Sequence, residues 1–281
     1  MKLQPLSPVN DFVFKKVFGG NPAVLGDFLQ AVLDLPAEEY HDLTVLDPTL
    51  EREHIEDKLG ILDVKIHTKS GKVIDVEVQV KAQRSIWQRM LFYTSKMVVE
   101  QVKSGFQYNR INRVISILIA DFVMVRENES YHNCFHLYDR KTGAFFPDSM
   151  EINILELPKM PESDGTHLGN WMSFFNARTE EDFMSAARTS PAINEAWGTI
   201  KYLSGNERER ALAEAREKAR MDLDSWLSDA RYEGRQEGRQ EGIFAVARNL
   251  LRKKMSYDDI VDATGLSIAE IKRLAAELTD R

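Results

Sequence analysis

Three side chains within one short stretch have the types and spacing to do chemistry together: Asp63, Glu77 and Gln79. Residues 60–81 read GILDVKIHTKSGKVIDVEVQVK, two period-two runs separated by a turn. Leu62, Val64 and Ile66 alternate with Asp63, Lys65 and His67; Ile74, Val76, Val78 and Val80 alternate with Asp75, Glu77, Gln79 and Lys81. Strict alternation predicts two strands, each with one apolar and one polar face. Lys69-Ser70-Gly71 fits a three-residue hairpin loop with its glycine in the left-handed region. That loop sets the register, and Asp63 then falls opposite Glu77. Opposed residues of an antiparallel pair lie roughly 4.5–5.5 Å apart at Cα. Two carboxylates so close repel one another, and a cation held between them is the simplest reason to set them there. Lys65 and Lys81 share that polar face and are candidates for a positive charge beside the acids.

Other elements must hold this hairpin in place. Residues 82–103 predict a long helix, with Trp87, Met90, Leu91, Thr94, Met97 and Val98 recurring on one side. Arg89 and Tyr93, one turn apart, are placed to face the acids and touch a phosphate. The apolar run Val114-Ile115-Ser116-Ile117-Leu118-Ile119-Ala120 follows, so strand, helix and buried parallel strand form a βαβ unit. Residues 131–138 and 150–157 predict two further strands around the turn Lys141-Thr142-Gly143. His132 and His136 alternate along one of them, which is strand periodicity and does not predict a zinc site. Near the start, Ser7 or Asn10 caps a helix bearing Phe14, Val17 and Phe18, and Asn21-Pro22 opens a second one.

Four features in order carry a resemblance. They are Asn10-Asp11-Phe12-Val13-Phe14-Lys15-Lys16-Val17-Phe18-Gly19, then Asp63 with Glu77-Val78-Gln79, then Ile154-Leu155-Glu156-Leu157-Pro158-Lys159, and last the Glu-Gly-Arg repeat of 233–242 with Thr264-Gly265-Leu266-Ser267. Together they resemble the transposase-like, recombination-promoting nucleases of the PD-(D/E)XK family, in the variant where Gln replaces the last Lys. The resemblance implies a restriction-endonuclease-like α/β fold, a mixed sheet flanked by helices, with a helical C-terminal region. It implies Mg²⁺, or another divalent cation such as Mn²⁺, held by Asp63, Glu77 and the Val78 carbonyl. Gln79 would orient the attacking water or bond the phosphate, without the charge of the usual Lys. Asp11 would add an acid from the first helix. The implied reaction is hydrolysis of DNA phosphodiesters; an RNA-cleaving enzyme, or a lapsed nuclease kept for DNA binding or assembly, are the alternatives.

Composition sets bounds on these expectations. The chain has 281 residues, is 43% hydrophobic and carries a net charge of −7, so DNA contact requires a local basic patch. Its single cysteine, Cys134, excludes an internal disulfide and a cysteine-based zinc finger, and is expected as a small buried hydrophobe. With no apolar leader and no run approaching ~20 apolar residues, a soluble cytoplasmic protein without a membrane span is expected. The charged run of residues 51–58 is expected at the surface, with Lys58 a distant candidate for phosphate contact. Pro158 and Pro161 suggest that the core spans 1–160, followed by a helical region over 161–232 and a repeat with a helix–turn–helix-like tail over 233–281. Leu212, Ala215, Ala219, Leu223 and Leu227 trace a thin apolar stripe, which predicts a homo-oligomer formed through the C-terminal helices. The repeat at 233–242 suits a close helix–helix approach and a hinge equally well. In the tail, Ser256 and Ser267 are helix caps and Lys272, Arg273 and Arg281 its basic groups.

Overall fold

The computed structural model describes residues 3–46, 63–102, 107–144, 146, 149–161 and 164–279. Expectations that fall on residues 51–62, Lys58 and Leu62 among them, and on Lys103, Glu162, Ser163 and Arg281, lie outside the described residues.

The chain opens with α1 (Asp11–Phe14), capped by Asn10, whose side chain accepts from the amides of Phe12 and Val13. The helix widens into a π turn over Lys15–Gly19. Next come α2 (Pro22–Val32), capped by Asn21, and β1 (Thr44–Val45). The predicted hairpin is β2 (Val64–His67) and β3 (Val73–Gln79). Then follow α3 (Ile86–Val99), β4 (Val114–Ala120), β5 (His132–His136) and β6 (Met150–Glu156). Among the described residues the strands make one mixed sheet in the order β1-β2-β3-β4-β6-β5. β3, β4 and β6 run parallel, and the remaining neighbours are antiparallel. The all-apolar expectation for β4 is met in its burial at every position.

The two faces of the sheet are covered differently. Ile74, Val76, Ile115, Ile117, Ile119 and Leu155 share a core with α1, α2 and three helices that follow the sheet: α4 (His167–Asn176), α5 (Glu180–Ala187) and α6 (Pro191–Gly205). Phe14, Phe18, Phe28, Trp171, Phe174 and Phe175 interlock there, with neighbouring ring centroids 4.6–6.3 Å apart. Rings of this size supply most of the apolar area a domain hides from water. The core therefore runs across the Pro158–Pro161 boundary. On the opposite face α3 lies over the sheet, packing Ile86 and Met90 on Leu118, Ala120 and Ile154. Thr94 Oγ1 and Ser116 Oγ, 2.8 Å apart, satisfy one another beneath it.

Two motifs have structural reasons of their own. Gly71 has φ +88, as the hairpin loop needs, and Glu39 ties the loop down through Ser70 and Lys72. Glu156 is fully buried; it accepts from the amides of Met124 and Val125 and pairs with Lys159 at 2.8 Å. The segment Ile154 to Lys159 thus locks the loop after β4 to the end of β6. Cys134 departs from expectation: it is exposed, because β5 is an edge strand that lies outside the main cores.

The chain divides into two compact units, Met1–Arg216 and Glu217–Arg281. One helix, α7 (Glu207–Arg252), continues through the Glu-Gly-Arg repeat, so the hinge alternative is not what forms. In the second unit Ala247, Ile260, Ile271 and Leu274 make a small core between the end of α7, α8 (Tyr257–Thr264) and α9 (Ile268–Thr279). Ser256 caps α8, Gly265 ends it with φ +72, and Ser267 with Glu270 starts α9. No helix among the described residues is long and apolar enough to cross a membrane.

Candidate active site

The register of the hairpin pairs Val64 with Val76 and Lys65 with Asp75, which sets Asp63 opposite Glu77. Asp63 lies one residue before β2 and is bound to the partner strand, its Oδ2 accepting from the Val78 amide at 3.0 Å. Asp75, Glu77 and Gln79 line the face of β3 that α3 covers. This polar face is not solvated: Asp75 and Glu77 are both buried.

Burial has large consequences for the acids. Desolvation, with Asp63 beside it, pushes Glu77 up to about 7, against the pull of Arg89 and Lys15. Desolvation first, then the charges of Glu77 and Asp63, raise Asp75 well above the usual carboxylate range. Asp75 Oδ1 is buried and has no hydrogen-bond partner among the described residues. Tyr93, over the same small cavity as Asp75 and Glu77, is raised by burial and by Glu77. Three crowded acids, one with an unanswered oxygen, suit a divalent cation with oxygen ligands.

Positive charge reaches the site from two places. Lys15, in the π turn, puts its Nζ 3.1 Å from Asp63 Oδ1. Arg89, on the first turns of α3, donates from Nη2 to Gln79 Oε1 at 2.6 Å and lies 3.6 Å from Glu77 Oε2. Its Nη1 donates to Gln83 Oε1 at 3.0 Å, while its Nε is buried and finds no acceptor among the described residues. Gln79 is held at both ends, since its Nε2 donates to the Lys81 carbonyl at 3.2 Å.

Of the residues singled out from sequence, Asp63, Glu77, Gln79, Val78, Arg89 and Tyr93 come together here. Lys65 is on the same face opposite Asp75, with its ammonium 2.7 Å from Glu100. Lys81 is exposed just beyond β3 and meets Gln79 through its carbonyl. Asp11 turns to Arg216, 3.3 Å away, and the residue of that segment that reaches Asp63 is Lys15. Asp75 and Lys15 are the members that sequence reasoning missed. For Asp75 there was a signal, the same strand face two residues before Glu77; for Lys15 there was only a place on a helix end.

A family model described as PD-(D/E)XK nuclease family transposase matches residues 8–230, a span holding both the N-terminal helices and every residue of this site. No curated protein and no solved structure matches the chain. The hairpin of acids, the mixed sheet and that match agree: the chain belongs to the PD-(D/E)XK nuclease family transposases.

Proposed function

We propose that this protein is a divalent-metal-dependent DNA endonuclease of the recombination-promoting, transposase-like kind, working in the cytoplasm. The observation that carries the proposal is the carboxylate group: half-buried Asp63 opposite buried Glu77, with buried Asp75 beside them holding an unpartnered oxygen. Nucleases of this family typically use divalent metal ions. Asp63 and Glu77 would hold one, with the Val78 carbonyl as a further oxygen, and Mg²⁺ or Mn²⁺ are the ions of choice for carboxylate and carbonyl ligands. A bound cation of this class polarises a phosphoryl oxygen and lowers the pKa of water.

The chain's own residues have separate tasks. Glu77 would give up its proton when a cation arrives, with Asp75, its own carboxyl raised well above the usual range by burial, standing behind it. Arg89 brings its positive charge to the place a phosphate would take, while Gln79 fixes the guanidinium against Glu77. Gln79 cannot carry the charge of the lysine it replaces, and Arg89 and Lys15 supply it. Lys65 and Lys81 stay at the edge of the group, Tyr93 closes one wall, and Asp11 orders the first helix through Arg216. Self-association would run through the second unit: Trp226, Leu223 and Leu227 are exposed on α7, and a methyl group built on Gly234, Gly238 or Gly242 would meet nothing among the described residues.

The testing experiment incubates purified protein with supercoiled plasmid and with a matched RNA, with Mg²⁺ and with chelator. Nicking or linearisation of DNA only with the metal supports the proposal. Cleavage of RNA alone favours the RNA-directed alternative. No cleavage of either with Mg²⁺ or Mn²⁺ favours a lapsed enzyme.

A further inference from the structure

The opposite face of the sheet carries a second group of metal-ligating side chains, unrelated to the acids of the hairpin. Glu151 lies beside Ile115, and Ile115 beside Ile74, so it points away from the face of Asp75 and Glu77. In the antiparallel pair of β5 and β6, His136 is opposite Glu151 and Cys134 opposite Asn153, which puts all four on one face. Cys134 Sγ is 3.1 Å from His136 Nε2, and His136 Nε2 is 3.8 Å from Glu151 Oε2. The three donor atoms all lie within 4.8 Å of one another. Bond lengths of ~2.0–2.3 Å to zinc put the ligands of a tetrahedral ion roughly 3.5 Å apart. The observed separations bracket that value without any movement of the backbone.

The surroundings are those of a built site. Glu151 is buried and oriented on both sides, its Oε1 accepting from Asn153 Nδ2 at 2.6 Å and its other oxygen paired with Arg113. Asn153 is in turn bonded to His132 Nε2 at 2.8 Å. Such outer partners fix a ligating carboxylate before the ion arrives. The group opens into a cavity of about 570 Å³, walled on its apolar side by Leu33, Leu35, Leu137 and Phe146.

We propose that Cys134, His136 and Glu151 bind a zinc-class cation, with the fourth coordination position open to that cavity. The donor set of one thiolate, one imidazole and one carboxylate selects Zn²⁺ or Co²⁺ over the hard Mg²⁺ suited to the hairpin. Binding moves the Cys134 proton to solvent and forms the sulfur–metal bond, with no change of oxidation state. The open position is what distinguishes such a site from a closed structural one and would take water or a small anionic ligand beside Arg113 and His132.

Because the chain has one cysteine, a thiolate signal can come only from Cys134. The test is a Co²⁺ titration of the full-length, metal-free protein, reading the thiolate-to-cobalt charge-transfer band. The expected result is a band that saturates at one equivalent, is bleached by Zn²⁺, and survives Glu77→Gln. It should be absent in Cys134→Ser and weakened at least about tenfold in affinity in His136→Ala and Glu151→Gln. Circular dichroism matching the wild type certifies the fold of each variant, with His136→Asn, Glu151→Asn and Cys134→Ala replacing the first choice at its own position where that one misfolds. No band at equimolar Co²⁺ would overturn the proposal. So would a band indifferent to both His136 and Glu151, which would mark a bare surface thiol.

Discussion

Arg89 Nη2 donates to Gln79 Oε1 at 2.6 Å and stands 3.6 Å from Glu77 Oε2, so the guanidinium bridges the two residues of the Glu-Val-Gln triplet. An amide in place of a lysine here has become the mount for a charge delivered from α3. Arg89→Ala is expected to lower kcat by about 10²–10³-fold, the usual cost of removing one preorganised electrostatic group. Gln79→Ala should lower it by about 10-fold to 100-fold by releasing Arg89, with little change in metal affinity. Steady-state cleavage rates beside calorimetric metal titration check both. Equal activity of Arg89→Ala and wild type would remove Arg89 from the site.

Lys15 pairs with Asp63 and would compete with a cation bound there. The pair is 3.1 Å long and the lysine is about one-third exposed, so its loss should change metal-free stability by no more than about 1 kcal/mol. Lys15→Met should therefore bind Mg²⁺ severalfold more tightly. A calorimetric titration in which it binds more weakly would show that Lys15 supports the ion and does not oppose it.

The folded protein keeps the Glu77 proton up to about pH 7, whereas the unfolded chain releases it near 4.5. Between those values the native state holds more protons, so stability declines as the pH rises. The Glu77 share of this loss is ~3 kcal/mol at most, and Asp75 acts in the same direction. Denaturant midpoints in chelator should be higher at about pH 5 than at about pH 8. A divalent cation should offset the loss at the higher pH, by roughly RT ln(1 + [L]/Kd). A metal-free midpoint that rises over this range contradicts the buried carboxylate group.

These expectations separate what the sequence displays from what only the fold reveals. The hairpin was legible because period-two alternation and Gly71 fix a register, and Asp63 opposite Glu77 follows by counting. Asp75 was not, since alternation marks a polar face without saying whether a helix lies over it. Here α3 does, and a face that looked solvated became the buried wall of the site. Lys15 escaped notice because 48 positions along the chain separate it from Asp63, and no local pattern reports on such a contact. Residue type alone puts Cys134 inside, but an edge strand leaves it exposed. The Glu-Gly-Arg repeat was ambiguous because three glycines each weaken a helix by roughly 1 kcal/mol, a deficit that its charged neighbours and the length of α7 outweigh.

The second unit yields an assembly prediction. Trp226 is 73% exposed on a helix that continues for 46 residues, and Leu223 and Leu227 accompany it. Such a stripe on a polar helix is what a partner helix covers. Light scattering of the full chain should give an oligomer, and the double variant Trp226→Glu, Leu223→Glu a monomer with unchanged circular dichroism. A wild-type monomer at high concentration would contradict it.

The most direct test of the central claim is plasmid cleavage by Asp63→Asn beside the wild type in the same Mg²⁺. Asparagine keeps the shape and can still accept from the Val78 amide, so the fold should persist while the charge shared with Glu77 is lost. The account predicts no detectable cleavage by the variant, and Mg²⁺ stabilisation in the wild type that the variant largely lacks. If Asp63→Asn cleaves as fast as the wild type, the hairpin acids are not the active site.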